Sequence, residues 1–185
     1  MARQPRIHLV TREEATDEQR RVGDFIYLKR NEEYLGPSAV LLQIPRLAEC
    51  FEFMREHIQQ VGLPADLLQL ATLVLARHWS VDYVWNVRAG LAKKAGIGDD
   101  IIDAIADGKK PVFKDAKYEA IYTYVSELLG PVGVSDAAHE AAKKALGSET
   151  MVIELAALVG MYTFLAFQCR AADIPVQAGG TVLAK

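Results

Sequence analysis

The sequence predicts one all-α domain, a helical bundle of seven or eight helices. Apolar residues recur at three- and four-residue spacing almost from end to end, and no segment alternates as a strand would. Residues suited to capping stand before most of the apolar runs, and glycine or proline closes most of them. No internal repeat or low-complexity segment interrupts the pattern. A chain of 185 residues suits a single domain over 1–185, and it can bury roughly 70% of its unfolded surface without disulfides or metals.

The elements follow in order. "ATDEQRRVGDFIYLKR" (15–30) begins with Thr16 as N-cap and Asp17 and Glu18 in the first turn, where the helix dipole favours anions. Residues 31–45 hold a Gly-Pro turn and a short apolar segment ended by Pro45. A helix over 46–61 stops at Gly62, and Pro64 opens the next, "PADLLQLATLVLARHW". Apolar residues lie on every side of that helix, so it belongs at the centre. Ser80 reads as the N-cap of helix 81–95, with Trp79 and Val84 as a hydrophobic staple and Gly96 as the stop. Asp99 and Asp100 open a short helix ended by Gly108, and Asp115 opens one ended by Gly130-Pro131. Ser135 opens a helix to about Leu146, and Ser148 opens the last long one, which fades at Pro175. The expected core spans 34–173, followed by a loose tail over 176–185.

Composition narrows the function classes. Hydrophobic residues at 51% and charged residues at 24% fit a globular protein. A net charge of -3 with scattered Lys and Arg gives no reason to expect nucleic acid. The N-terminal stretch has no apolar h-region. The run "LAALVGMYTFLAF" (155–167) is too short for a membrane span. A soluble, cytoplasmic protein with no membrane partner is expected. Cys50 and Cys169 belong to no CxxC or Cys/His set and read as buried or half-buried thiols. No residue set has metal-ligand spacing and no Gly-rich loop has phosphate-cradling form, so no metal is expected.

Helix 81–95 carries the main anomaly. Val81, Val84, Trp85, Arg88, Ala92 and Ala95 form one apolar stripe with a single charge in it, while Asp82, Asn86, Lys93 and Lys94 lie opposite, toward water. Arg88 therefore points inward, where an unpaired charge would cost several kcal/mol. It either snorkels or pairs with a carboxylate of this or a neighbouring chain, or lines a cavity and holds an anionic substrate group, or serves a subunit interface. Gln69, alone among apolar neighbours but for Thr72, needs partners as a helix-packing amide or shares a pocket with Arg88. His78, in "RHW" (77–79) at the tight inter-helix junction, is either a structural imidazole or a general acid–base. His8, His57 and His139 read as surface residues. Tyr162, in the apolar last helix, needs a hydroxyl partner or opens onto the same pocket.

Four ordered blocks carry a resemblance: "GPSAVLLQIPRLAE" (36–49), "LLQLATLVLARHWSVDYVWNVRAGLAKKAGIGDDIIDAI" (67–105), "KKPVF" (109–113) and "ELAALVGMYTFLAF" (154–167). Together they resemble the carboxymuconolactone decarboxylase-like family, which includes alkylhydroperoxidase D. The resemblance implies an all-α fold with a central antiparallel helix pair and a homo-oligomer, commonly a trimer or hexamer. The 151–167 helix is a candidate for part of that interface. Redox members carry Cys-x-x-Cys-x-x-x-His and an upstream relay Glu. Decarboxylase members use the equivalent pocket on a dicarboxylated lactone, without metal or organic cofactor. The chain departs from both patterns. Gln69 stands at the relay Glu, Val81 and Val84 at the two cysteines, and Arg88 at the histidine. Val84 is also the position of a Glu in the nearest subfamily.

Valines form no thiolate, so a thiol peroxidase at this site is effectively excluded. The favoured expectation is a cofactor-free lyase, decarboxylase or isomerase acting on a small carboxylated or enolisable compound. Its site residues would be Arg88 as carboxylate or enolate holder, His78 or Tyr162 as proton carrier, and Gln69, Val81, Val84 and Trp85 around the substrate. The alternatives are a family member that binds a small acid without turnover and, last, an alkylhydroperoxidase-type protein using Cys50 or Cys169.

Overall fold

The computed structural model describes residues 4–27, 34–176, 180, 182 and 183. Among these it has nine helices and no strand: α1 (Asp17–Tyr27), α2 (Gly36–Leu41), α3 (Pro45–Gln60), α4 (Ala65–His78), α5 (Asp82–Lys94), α6 (Asp99–Ala106), α7 (Ala116–Leu128), α8 (Asp136–Leu146) and α9 (Glu149–Ala172). The number exceeds the expected seven or eight because the short apolar segment after the Gly-Pro turn is itself helical. Pro37 in its first turn pre-sets a helical φ there.

Most sequence caps fold as read. Thr16 and Gln19 form a reciprocal capping box: the Gln19 N–H donates to Thr16 Oγ1 (3.3 Å) and the Thr16 N–H to Gln19 Oε1 (2.9 Å). Asp115, Ser135 and Ser148 accept from Lys117, Ala138 and Met151 at the starts of α7, α8 and α9.

Ser80 does not cap α5, whose N-cap is Val81. It ends α4 instead. At φ 48° it takes the left-handed position of a Schellman motif. The Ser80 N–H donates to the Arg77 carbonyl (3.0 Å) and the Val81 N–H to the Ala76 carbonyl (2.9 Å). The Trp79–Val84 staple fails with the cap. Trp79 docks on α9, its Nε1 donating to Thr163 Oγ1 (3.3 Å) and its ring edge-on to Phe167.

α4 and α9 form the centre. Leu67 and every residue from Gln69 to Ala76 are buried, as expected for a helix apolar on all sides. α4 packs against α5, α6, α7 and α9, and α9 also against α2, α3 and α8. α4 and α5 run antiparallel, so that Gln69 in the first half of α4 meets Arg88 at the middle of α5. The apolar run 155–167, too short on its own for a membrane span, lies within a 24-residue helix. By length and composition alone α9 could cross one; here it packs in the bundle.

The core reaches beyond 34–173. Val10, Val22, Ile26 and Tyr27 are buried in it, and so is Leu183. The Leu183 N–H donates to Asp82 Oδ1 (2.9 Å), so the tail is fixed at that residue and covers part of the helix face assigned to water. Most of the rest of "QAGGTVLAK" lies outside the described residues, as do 28–30 of the first predicted helix.

Candidate functional site

Arg88 lines a partly open cavity of about 340 Å³ bordered by residues of α1, α2, α3, α5 and α9. The periodicity that turned it inward holds, for Val81, Val84, Trp85 and Ala92 are buried on the same stripe. Its Nη2 donates to the Tyr162 hydroxyl, its Nη1 reaches Gln69 Oε1 at 3.5 Å, and its Cζ lies 4.6 Å from the centre of the Tyr162 ring. The last contact is cation–π geometry. Among the described residues no carboxylate pairs with it. Burial, with the like charge of Arg55 second, pulls the Arg88 guanidinium down to about 10, so it stays charged near neutrality.

Tyr162 completes the pair. Its oxygen accepts from Arg88, which leaves its own proton to be given elsewhere, and no described residue accepts it. Both groups line the cavity, together with Tyr27, Tyr83, Ser38 and the apolar Val84, Val87, Phe51, Met161 and Leu165.

A second ion-bearing group went unread in the sequence. Glu52 on α3 is fully buried and accepts both Arg55 Nε (2.7 Å) and Arg55 Nη2. The Arg55 guanidinium lines the same cavity. The signal was available: Ala48, Phe51, Glu52 and Arg55 follow the same i, i+3, i+4, i+7 pattern that singled out Arg88. Glu52 offsets Arg55, so the cavity keeps the positive charge of Arg88.

The other predicted residues divide. Gln69 touches Arg88 from behind and does not line the cavity, and Val81 and Trp85 are core residues beside it. Gln69 thus hydrogen-bonds Arg88, and Val81 and Trp85 pack in the core without facing the cavity. His78 does not line this cavity. It is exposed and lines a separate pocket of about 310 Å³ with Arg77, Lys109, Tyr122 and Ser126. It lies at the end of α4, where the chain turns outward, so the inter-helix junction is not the enclosed setting expected. Burial still lowers the imidazole below its ordinary value.

Cys50 is exposed, contrary to the expectation of a covered thiol, and Cys169 is buried. Burial pushes the Cys169 thiol up to about 12, and neither sulfur lines the Arg88 cavity. Among the described residues no three His, Cys, Asp or Glu side chains gather as a metal would require.

No protein-family model matches the chain, and no curated protein matches it in sequence. Solved structures match it in shape. A cysteine-to-alanine variant of the debrominase Bmp8, in complex with 2,3,4-tribromopyrrole, superposes with TM-score 0.75 at 15% identity over 96% of this chain and 95% of that one. Apo Bmp8 superposes with TM-score 0.71 at 18% identity over 92% of both chains. At such identities the likeness shows the fold, an all-helical bundle of the alkylhydroperoxidase D-like type.

Proposed function

We propose that this chain binds a small organic acid in the Arg88 cavity and moves a proton on it, as a cofactor-free lyase, decarboxylase or isomerase of a carboxylated or enolisable compound. One observation carries the reading. A half-buried guanidinium sits at a cavity with only neutral hydrogen-bond partners among the described residues, Tyr162 and Gln69. Neutral partners satisfy its N–H groups and leave its charge uncompensated, which an anionic ligand would correct.

For a decarboxylation the bookkeeping is simple. The bond from carbon to the departing carboxylate breaks, and its electron pair passes into an enolate whose oxygen Arg88 holds. Carbon dioxide leaves as the bond breaks, Tyr162 gives its proton to the enolate carbon, and a water proton restores the phenol, the hydroxide left behind taking up carbon dioxide as bicarbonate. No thiol takes part, in keeping with valine at positions 81 and 84. The solved debrominase with tribromopyrrole supports the reading only in that this fold, in that protein, takes a small molecule.

The test is deuterium incorporation and carbon dioxide release from a panel of β-keto and other enolisable acids in heavy water. Turnover should fall about 10²- to 10⁴-fold in Tyr162→Phe, the usual worth of a positioned proton donor, with acid binding kept. The second reading is an acid-binding protein without turnover. It is favoured by the absence of any carboxylate or imidazole among the described residues that line the cavity. Binding with no exchange or release from any acid would select it.

A further inference from the structure

The Arg88 cavity shares a wall with a second space. A groove of about 420 Å³ runs between α3 and α9, and Phe51 and Met161 line both. The two chambers are therefore one side chain apart. Their chemistry differs sharply. The cavity holds guanidinium and phenol groups, whereas the groove is walled by Leu47, the Cys50 thiol, Met54, Ala157 and Phe164, with no charged side chain among its described lining residues. Leu47 and Met54 are 36% and 50% exposed, apolar surface that water covers poorly.

Only one part of the wall is fixed by stacking. Phe51 packs on Phe164 at 5.6 Å between ring centres. Met161 is an unbranched thioether with three rotatable bonds, the side chain best suited to swing aside. Moving it joins a cationic chamber to an apolar one, and together they match a ligand with an anionic head and an apolar tail.

We propose that the substrate class is an enolisable carboxylic acid, such as a β-keto acid, bearing an unbranched alkyl tail, its anionic head at Arg88 and its tail passing between Phe51 and Met161 into the α3–α9 groove. This rests on the reading of Arg88 as an anion holder. It adds that the groove sets chain-length preference.

Gly160 gives a clean test. It lies on the groove, and a Cβ built on it meets nothing within 4 Å. Gly160→Leu should therefore fold and fill the groove. The experiment is calorimetric titration of the intact chain with butyrate, hexanoate and octanoate, alongside sedimentation of both proteins. Affinity should rise by up to about fourfold per methylene in the native chain. Gly160→Leu should flatten the rise beyond hexanoate and leave butyrate binding and the sedimentation coefficient unchanged. A flat length series in the native chain, with butyrate binding that needs Arg88, overturns the tail site and leaves the anion reading standing. If no acid of any length binds, the anion reading fails and takes this inference with it. If Gly160→Leu changes subunit assembly and not octanoate affinity, a second copy covers the groove and the inference is overturned.

Discussion

Arg88 donates to the hydroxyl of Tyr162 and lies over its ring, with Cζ 4.6 Å from the ring centre. The pair joins the middle of α5 to α9 on the wall of a cavity that Arg55, Tyr27, Tyr83 and Ser38 also line. Two consequences follow. The guanidinium is held in one orientation without a counter-charge, and the phenol has its proton free. An arginine retained at such a place is expected to be unfavourable for folding and useful for binding.

Replacing Arg88 by Met should therefore stabilise the fold. The displacement of its acid constant from 12.5 to about 10 corresponds to a burden of about 3 kcal/mol. Relief of part of it should raise Tm by several degrees for a chain of this size. A drop of more than about 1 kcal/mol in urea denaturation would instead make Arg88 a structural residue.

His78→Gln should leave acid binding and any turnover unchanged, because His78 lines the other pocket. A steady-state comparison of the two proteins checks this. Loss of turnover would return the imidazole to the chemistry.

Ser80→Gly separates the two ways of reading the turn between α4 and α5. With φ at 48°, glycine should gain about 0.5–1 kcal/mol by relieving a left-handed residue. As an N-cap, Ser80 would lose a few tenths of a kcal/mol on the same change. Chemical denaturation distinguishes the signs.

Acid stability should depend on Asp24. Its Oδ1 accepts from Tyr34 (2.6 Å) and from Arg12 Nε (3.1 Å), and these bonds hold its carboxyl below the ordinary value. The native state thus releases this proton at lower pH than the unfolded chain. The stabilisation is complete above the unfolded value of about 3.9 and is lost as pH falls through the lowered native one. Asp24→Asn should flatten that part of the stability–pH curve, while an unchanged curve would remove Asp24 from the account.

The helices were legible because their signals are local. Thr16, Asp115, Ser135 and Ser148 cap where they were read, and the spacing on α5 turned Arg88 inward before any contact was known. Ser80 misled because a serine before an apolar run suits an N-cap equally well. Only the hydrogen bonds of Ser80 and Val81 back to Arg77 and Ala76 assign it to the helix behind. The site was half legible. Arg88 and Tyr162 were found as polar groups in apolar segments, but their meeting across 74 residues of sequence is a property of the packing. His78 failed for the same reason, since an apolar neighbourhood in sequence does not say which way the end of a helix faces. Glu52 and Arg55 were missed although their spacing announced them, because an acid and a base three residues apart read as a solvated pair until burial is known.

Whether Arg88 holds an organic acid in its cavity is decided by isothermal titration of the native chain and of Arg88→Met with a small enolisable carboxylate. Saturable binding is expected with the native chain, and none with an Arg88→Met protein that is folded and at least as stable. Equal binding to both would contradict that role for Arg88.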